Sequence, residues 1–114
     1  MLGIGNSGLR ISFREDDGGG GLRLPRRPLF ELGRTVITAA AHAALNLEDV
    51  AKSMHRHHTG DWGDLCDEDR QCNVDALRKG ARIFSVYHDR NKTKFYIVTE
   101  WDRSLTTVLL PEDY

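Results

Sequence analysis

His57 stands four residues ahead of Asp61 in the segment HRHHTGDWG, and Glu100, Asp102 and Arg103 crowd into four positions near the end of the chain. A histidine oriented by a carboxylate is a pair that abstracts protons, and a guanidinium beside it stabilises developing negative charge. In a small hydrolase or nuclease, His57 would be the base, Asp61 or Asp102 would orient it or hold a metal, and Arg103 would face the transition state. No nucleophile or oxyanion donor is identifiable beside them. The same residues also have a structural use. Trp62 can fill the core at a tight turn while Asp61 bonds local amides, and Asp102 can cap a hairpin turn with Arg103 paired to Glu100. With Tyr87 these residues form the candidate polar site: His57, Asp61, Tyr87, Glu100, Asp102 and Arg103.

Two further patterns invite a chemical reading. His55, His57 and His58 precede Cys66 and Cys72, with Asp61, Asp64 and Asp67 between them. Zinc ligands usually come as pairs two to four residues apart, whereas these cysteines have five residues between them. Imidazoles near a helix C-terminus are favoured there when protonated, and one of them would extend an apolar stripe as a half-buried residue. No metal or cofactor is expected. The glycines of GIGNSG, at positions 3 to 8, match G-x-G-x-x-G. They lack the preceding strand and following helix that a dinucleotide site requires.

The elements that must position these groups are legible from about residue 34. Val36 and Ile37 suggest a short strand, and Thr38 is a natural N-cap for an alanine-rich turn from Ala39 to Leu45. Asn46 caps a second helix, in which Leu47, Val50, Ala51 and Met54 make one apolar face that continues onto His57 and His58 and stops at Gly60. Asp64 or Asp67 would cap a third helix through Lys79, with acids in its first turn, bases in its last and Gly80 beyond. The remainder reads as a meander of strands at Arg82–Tyr87, Lys94–Thr99 and Leu105–Leu110, rich in β-branched and aromatic residues.

The fold class expected is α+β: two or three helices packed on one face of a small three- to four-stranded antiparallel sheet. Its core would include Val36, Leu45, Leu47, Val50, Met54, Trp62, Leu77, Ile83, Val86, Ile97, Val108 and Leu109. Residues 1–33, with a run of glycines from Gly18 to Gly21 and Pro25 and Pro28 around two arginines, have the composition of a flexible leader. Leu9 to Phe13 within it alternates and would suit an edge strand. Residues 34–114 would be the single compact domain.

At 114 residues there is room for one modest core and no second domain. Sixteen basic residues against seventeen acids argue against a general phosphate-coating protein, although residues 1–34 alone carry six arginines against four acids. No apolar run reaches the ~20 residues of a membrane helix, and the start lacks a signal-peptide pattern. On one helix, Cys66 and Cys72 would lie ~9 Å apart at ~1.5 Å per residue, beyond the ~7 Å reach of a disulfide. Free thiols fit a reducing, cytoplasmic setting.

One resemblance spans Thr38 to Tyr114. It is carried by Thr38 before the alanine-rich turn, Arg56-His57, Gly60-Asp61-Trp62-Gly63, Glu68-Asp69, Asn73 and Ala76-Leu77. It continues through Ser85, Tyr87, Thr99-Glu100, Asp102-Arg103-Ser104, Thr106-Thr107 and Leu109-Leu110-Pro111 to Tyr114. In these residues the chain resembles a family of short bacterial proteins of plasmids and other mobile elements, often labelled "plasmid-related" or type I restriction subunit. Ala39 stands where the family usually has proline, Trp101 where it has a small residue, and the glycine-rich leader is foreign to it. The resemblance implies a mobile-element or gene-cassette origin and assigns no catalytic residue. The expected function is therefore a non-catalytic accessory protein serving host defence or element maintenance, with a small His/Asp hydrolase or nuclease as the alternative. Expected partners are a protein, nucleic acid through the basic leader, and a second copy through Trp101 or an uncovered sheet edge, with no membrane.

Overall fold

Side-chain caps fix where the first two helices begin. In the computed structural model, which describes residues 27–114, strand β1 (Arg34–Ile37) runs into Thr38, whose hydroxyl accepts the amide of Ala41 and starts α1 (Ala39–Ala44). Asn46 does the same for Asp49 and starts α2 (Leu47–His58). Helix α3 (Asp67–Lys79) differs from expectation, because its N-cap is Cys66, which makes no side-chain cap bond. Asp64 is engaged elsewhere, its carboxylate 2.9 Å from Nδ1 of His88, and Asp67 already lies inside the first turn, where its charge favours the helix dipole. Gly80 ends α3 in the left-handed conformation that helix C-termini favour.

Three strands follow, β2 (Ile83–His88), β3 (Lys94–Thr99) and β4 (Leu105–Leu109), and then a short 3₁₀ turn, Pro111–Asp113. The protein is α+β, with strand order β1-β4-β3-β2. The sheet is mixed and not purely antiparallel: β2, β3 and β4 form the expected meander, but β1 pairs with β4 in parallel, Arg34 opposite Leu105 and Ile37 opposite Val108. All three helices intervene between β1 and β2. That long crossover is what parallel pairing requires, and it carries the chain to the far edge before the meander returns to β1.

One core cluster joins Ile37, Val50, Met54, Tyr87, Phe95, Ile97 and Val108; a second joins Trp62, Leu65, Ala76, Ile83 and Val86. Phe30 packs against both. Leu32 is fully buried, and the amide of Leu29 donates to the carbonyl of His58, so packing begins several residues ahead of the expected boundary at residue 34. Of the expected core, Leu47 is corrected: it is 41% exposed, because the buried stripe of α2 starts only at Val50 and runs through Ser53, Met54 and His57. Leu77 is half-buried against the second cluster, and the other ten are buried. The G-x-G-x-x-G match, the segment Leu9 to Phe13 and most of the expected leader lie outside the described residues. No helix among the described residues is long and apolar enough to cross a membrane.

The outer edge of β2 is closed by groups that are not strands. The amide of Val86 donates to the Trp62 carbonyl, and its carbonyl accepts from Asp64, making a bridge with the GDWG turn. One turn of α3 away, the Asn73 side chain both accepts from the Phe84 amide and donates to the Phe84 carbonyl, at 3.1 and 2.8 Å. This amide imitates a neighbouring strand. Gly63 makes the bridge geometrically feasible: its φ is +76°, and a Cβ there would stand 1.9 Å from the Val86 carbonyl oxygen. Gly80, at φ +73°, has open space where its Cβ would be. Gly80→Ala should therefore cost about 1 kcal/mol, the backbone penalty alone, and Gly63→Ala at least ~2 kcal/mol more through the displaced edge. Urea denaturation of both variants checks this; equal losses would show that contact with β2 is not what requires glycine at 63.

Candidate functional site

His57 and His58 end the buried face of α2, and His57 has no exposure to water. Both ring nitrogens are occupied, Nδ1 by the Ser85 hydroxyl of β2 at 2.5 Å and Nε2 by the Thr99 hydroxyl of β3 at 2.8 Å. Thr99 in turn meets Thr106 of β4 at 2.7 Å, and the Thr106 hydroxyl donates to the carbonyl of Leu32. The far end of this chain fixes every proton in it. A carbonyl only accepts, so Thr106 spends its proton on Leu32 and must accept from Thr99; Thr99 then accepts from His57, which carries its proton on Nε2. Nδ1 is left with its lone pair and accepts from Ser85. Burial, then the neighbouring charges of His58 and Arg103, push the imidazole down from 6.5 to about 3, so it is neutral in the folded protein.

A serine donating to a histidine is the opening geometry of nucleophilic catalysis. Ser85, however, is as fully buried as His57, beneath α2 and within the sheet. A reacting carbonyl or phosphorus centre reaches that hydroxyl only if α2 lifts from the sheet. In the folded protein the pair ties helix to sheet.

Asp61 is not the orienting acid of His57. Its carboxylate takes the Arg56 guanidinium through two bonds, at 2.8 and 3.2 Å, and its Oδ1 accepts the Gly63 amide at 3.4 Å. The Arg56 guanidinium lies over the Tyr87 ring, 4.8 Å from its centroid, and the Tyr87 hydroxyl donates to the Asp61 carbonyl at 2.7 Å. Burial drives the Tyr87 phenol well above its ordinary range, which keeps it protonated as that donor. Trp62 fills the core as expected and donates from Nε1 to the His57 carbonyl. Asp61 and Tyr87 thus come together, bracing the GDWG turn.

Glu100, Asp102 and Arg103 sit in the β3–β4 turn. Asp102 accepts both the amide and the hydroxyl of Ser104, the expected turn cap. The pairing of Arg103 with the Glu100 carboxylate does not form, since that carboxylate meets Arg82 at 3.3 Å. The Arg103 guanidinium instead donates to four main-chain carbonyls: Ala81, Glu100 and Trp101 from Nη1, and Ala76 from Nη2. Ala76 belongs to the last turn of α3, where its carbonyl also accepts the amides of Gly80 and Ala81. Arg103 therefore joins the end of that helix to the hairpin, from a backbone at φ +61° that non-glycine residues seldom adopt. Its guanidinium is 5.7 Å from the Phe30 ring centroid, and the Phe30 ring meets the His57 ring edge-on at 5.2 Å. Phe30 thus contacts both the Arg103 guanidinium and the His57 ring.

Among the described residues no three His, Cys, Asp or Glu side chains are grouped so as to hold a metal ion. Cys66 and Cys72 are free and exposed, while His57 and His58 are buried. Residues that sequence reasoning passed over carry much of the polar architecture. Ser85, Thr99 and Thr106 accompany His57, and the Asp89 carboxylate gathers the amides of Asn46, Asn91 and Thr93. Burial alone would raise that carboxyl; the three amides outweigh it and hold it below the usual range. Its position in the turn HDRNKT was a readable signal, since aspartate bonds nearby amides in turns. No protein-family profile, curated protein sequence or solved structure matches the chain.

His57 sets a pH dependence whose sign is fixed. Unfolded, it binds a proton near pH 6.5; folded, it does so only near pH 3, so acidification between these values favours the unfolded chain by about 1.4 kcal/mol per pH unit. Asp49, held at about 2 chiefly by the Arg90 side chain, acts only below its ordinary 3.8. Urea denaturation from pH 7 to pH 4.5 should therefore show falling stability. In His57→Gln, whose amide can donate to Thr99 and accept from Ser85, stability at pH 7 should fall and the slope should lose about one proton; an unchanged slope would place the titration elsewhere.

Arg103→Lys keeps the charge but not the planar fork, so it should lose most of the bonds to four carbonyls and cost ~2–3 kcal/mol, close to the loss in Arg103→Ala. A lysine variant as stable as the wild type in urea would show that charge alone suffices.

Proposed function

We propose that this protein is a non-catalytic accessory protein that works by binding another protein, in the setting of a bacterial mobile element. The observation that supports this most is the full employment of its reactive-looking side chains. His57 is buried and neutral, Tyr87 and Arg103 bond main-chain carbonyls, Asp61 holds Arg56, Glu100 meets Arg82 and Asp102 closes its own turn. A base, a nucleophile and an anion clamp need free lone pairs or donors facing a substrate, and these groups are occupied in holding the fold. The mobile-element setting rests on the sequence resemblance, and a cytoplasmic location on the two free thiols.

The surface best suited to a partner is the β3–β4 turn. Trp101 is 65% exposed there, on a loop held by the Arg103 bonds and the Asp102 cap. A rigidly presented tryptophan loses little entropy on contact, and such residues dominate interface energetics. Quantitative co-purification from cells producing the full chain should reveal a protein retained by wild type, lost in Trp101→Ala and recovered in Trp101→Phe, with urea stability unchanged. Turnover of a phosphodiester or ester by the purified protein, abolished in a folded His57→Gln variant, would overturn the reading.

A further inference from the structure

A cleft of about 360 Å³ opens between α3 and the β2 edge of the sheet, lined by none of the six residues of the candidate polar site. Leu65, Phe84 and Tyr114 give it apolar and aromatic surface, Arg82 a cation, and Asp69 and Cys72, one helical turn apart, line it from α3. Asn73 also lines it, but both ends of its amide are committed to Phe84, which fixes that wall. Phe84 is held by Tyr96 and Tyr114, with ring centroids 4.8 and 5.8 Å away, and Tyr96 meets Tyr114 at 5.7 Å. Three rings inclined to one another by 50 to 82° brace a fixed aromatic corner whose ordering cost is met before anything binds.

Arg82 is the polar group with capacity to spare. It makes two bonds, to the Tyr114 hydroxyl and to Glu100, each 3.3 Å long, and its side chain is half exposed. A guanidinium has five N–H donors in a planar fork suited to a carboxylate. An incoming anion would replace the long bond to Tyr114 with a shorter charge-assisted pair. Asp69 sets the opposite condition, since its charge disfavours a second anionic group and favours an N–H donor. The volume is near the lower end of small-molecule sites, ~300–1,000 Å³, which suits one or two rings.

We propose that this cleft binds a planar aromatic monoanion, with its ring in the corner between Phe84 and Tyr114 and its carboxylate on Arg82. The cleft is lined by none of the six candidate residues, and the inference shares with the accessory reading only the Arg82–Glu100 pair.

The two free cysteines supply the test. Cys72 lines the cleft and Cys66 does not, and both are exposed. Alkylation of the full chain by N-ethylmaleimide, followed by peptide mapping, gives the rate at each. Millimolar 4-aminobenzoate or indole-3-carboxylate should slow Cys72 several-fold and leave Cys66 unchanged, while the neutral 4-aminobenzamide should have little effect. Protection should vanish in Arg82→Gln and weaken in Tyr114→Ala, each confirmed as folded by its urea transition. Failure of both acids to protect Cys72, equal slowing of both cysteines, equal protection by the amide, or protection that survives in Arg82→Gln would each overturn the proposal.

Discussion

A histidine sealed from water, with a hydrogen bond at each nitrogen, is the constraint on which the other elements depend. His57 takes one hydroxyl from β2 and gives its proton to another on β3, and the chain passes through β4 to the carbonyl of Leu32. Five segments, α2, β2, β3, β4 and the stretch at Leu32, must be in register for this path to close. Removing any member strands a buried polar group, a larger loss than a single hydrogen bond contributes when made. An apolar residue in place of His57 would leave Ser85 without its acceptor and Thr99 without its donor. The network thus specifies a single placement of α2 on the sheet, a role that apolar packing, which tolerates sliding, fills less strictly.

The periphery follows the same logic, with side chains standing in for missing backbone partners. Asn73 completes the edge of β2, Arg103 fastens the end of α3 to the β3–β4 turn, and Asp89 gathers the amides of its own turn and of Asn46. Arg90, beside that turn, reaches back to Glu48 and Asp49 in the first turn of α2, so helix and hairpin share both a cap and an ion pair. These polar residues resemble catalytic machinery in sequence because catalysis and scaffolding use the same chemistry. They differ in whether the lone pairs and donors face a substrate or the chain itself.

What the sequence disclosed was local. Thr38 and Asn46 act through amides three residues away, and Gly80 through its own backbone, so their roles are written in their immediate neighbours. The meander was legible for the same reason, with short turns and alternating β-branched residues. The parallel pairing of β1 with β4 was hidden because it is a property of where the crossover delivers the chain. Leu32 and Phe30 were obscured by the glycines, prolines and arginines around them, which give the segment the composition of a linker although two of its side chains enter the core. In the candidate site, the partners of His57 lie 28 and 42 positions away, and those of Arg103 are carbonyls, which no residue type advertises. Arg103 passes over the Glu100 carboxylate three residues away for carbonyls of its own turn and of Ala76 and Ala81 about the end of α3.

The topology also imposes an order on events. The strand partner of β1 is β4, the last strand of the chain, and the bonds Thr106 to Leu32 and Thr38 to Asp113 join residues 74 and 75 positions apart. During synthesis, Val36 and Ile37 precede β4 and stay without their neighbour until β4 has left the ribosome. Closing such a loop is entropically unfavourable and brings no compensating contact before its ends meet, so consolidation of the sheet is slow compared with that of the helices between. The nascent chain therefore carries an unpaired apolar strand from the synthesis of β1 until that of β4, the condition under which newly made proteins engage chaperones or associate with one another.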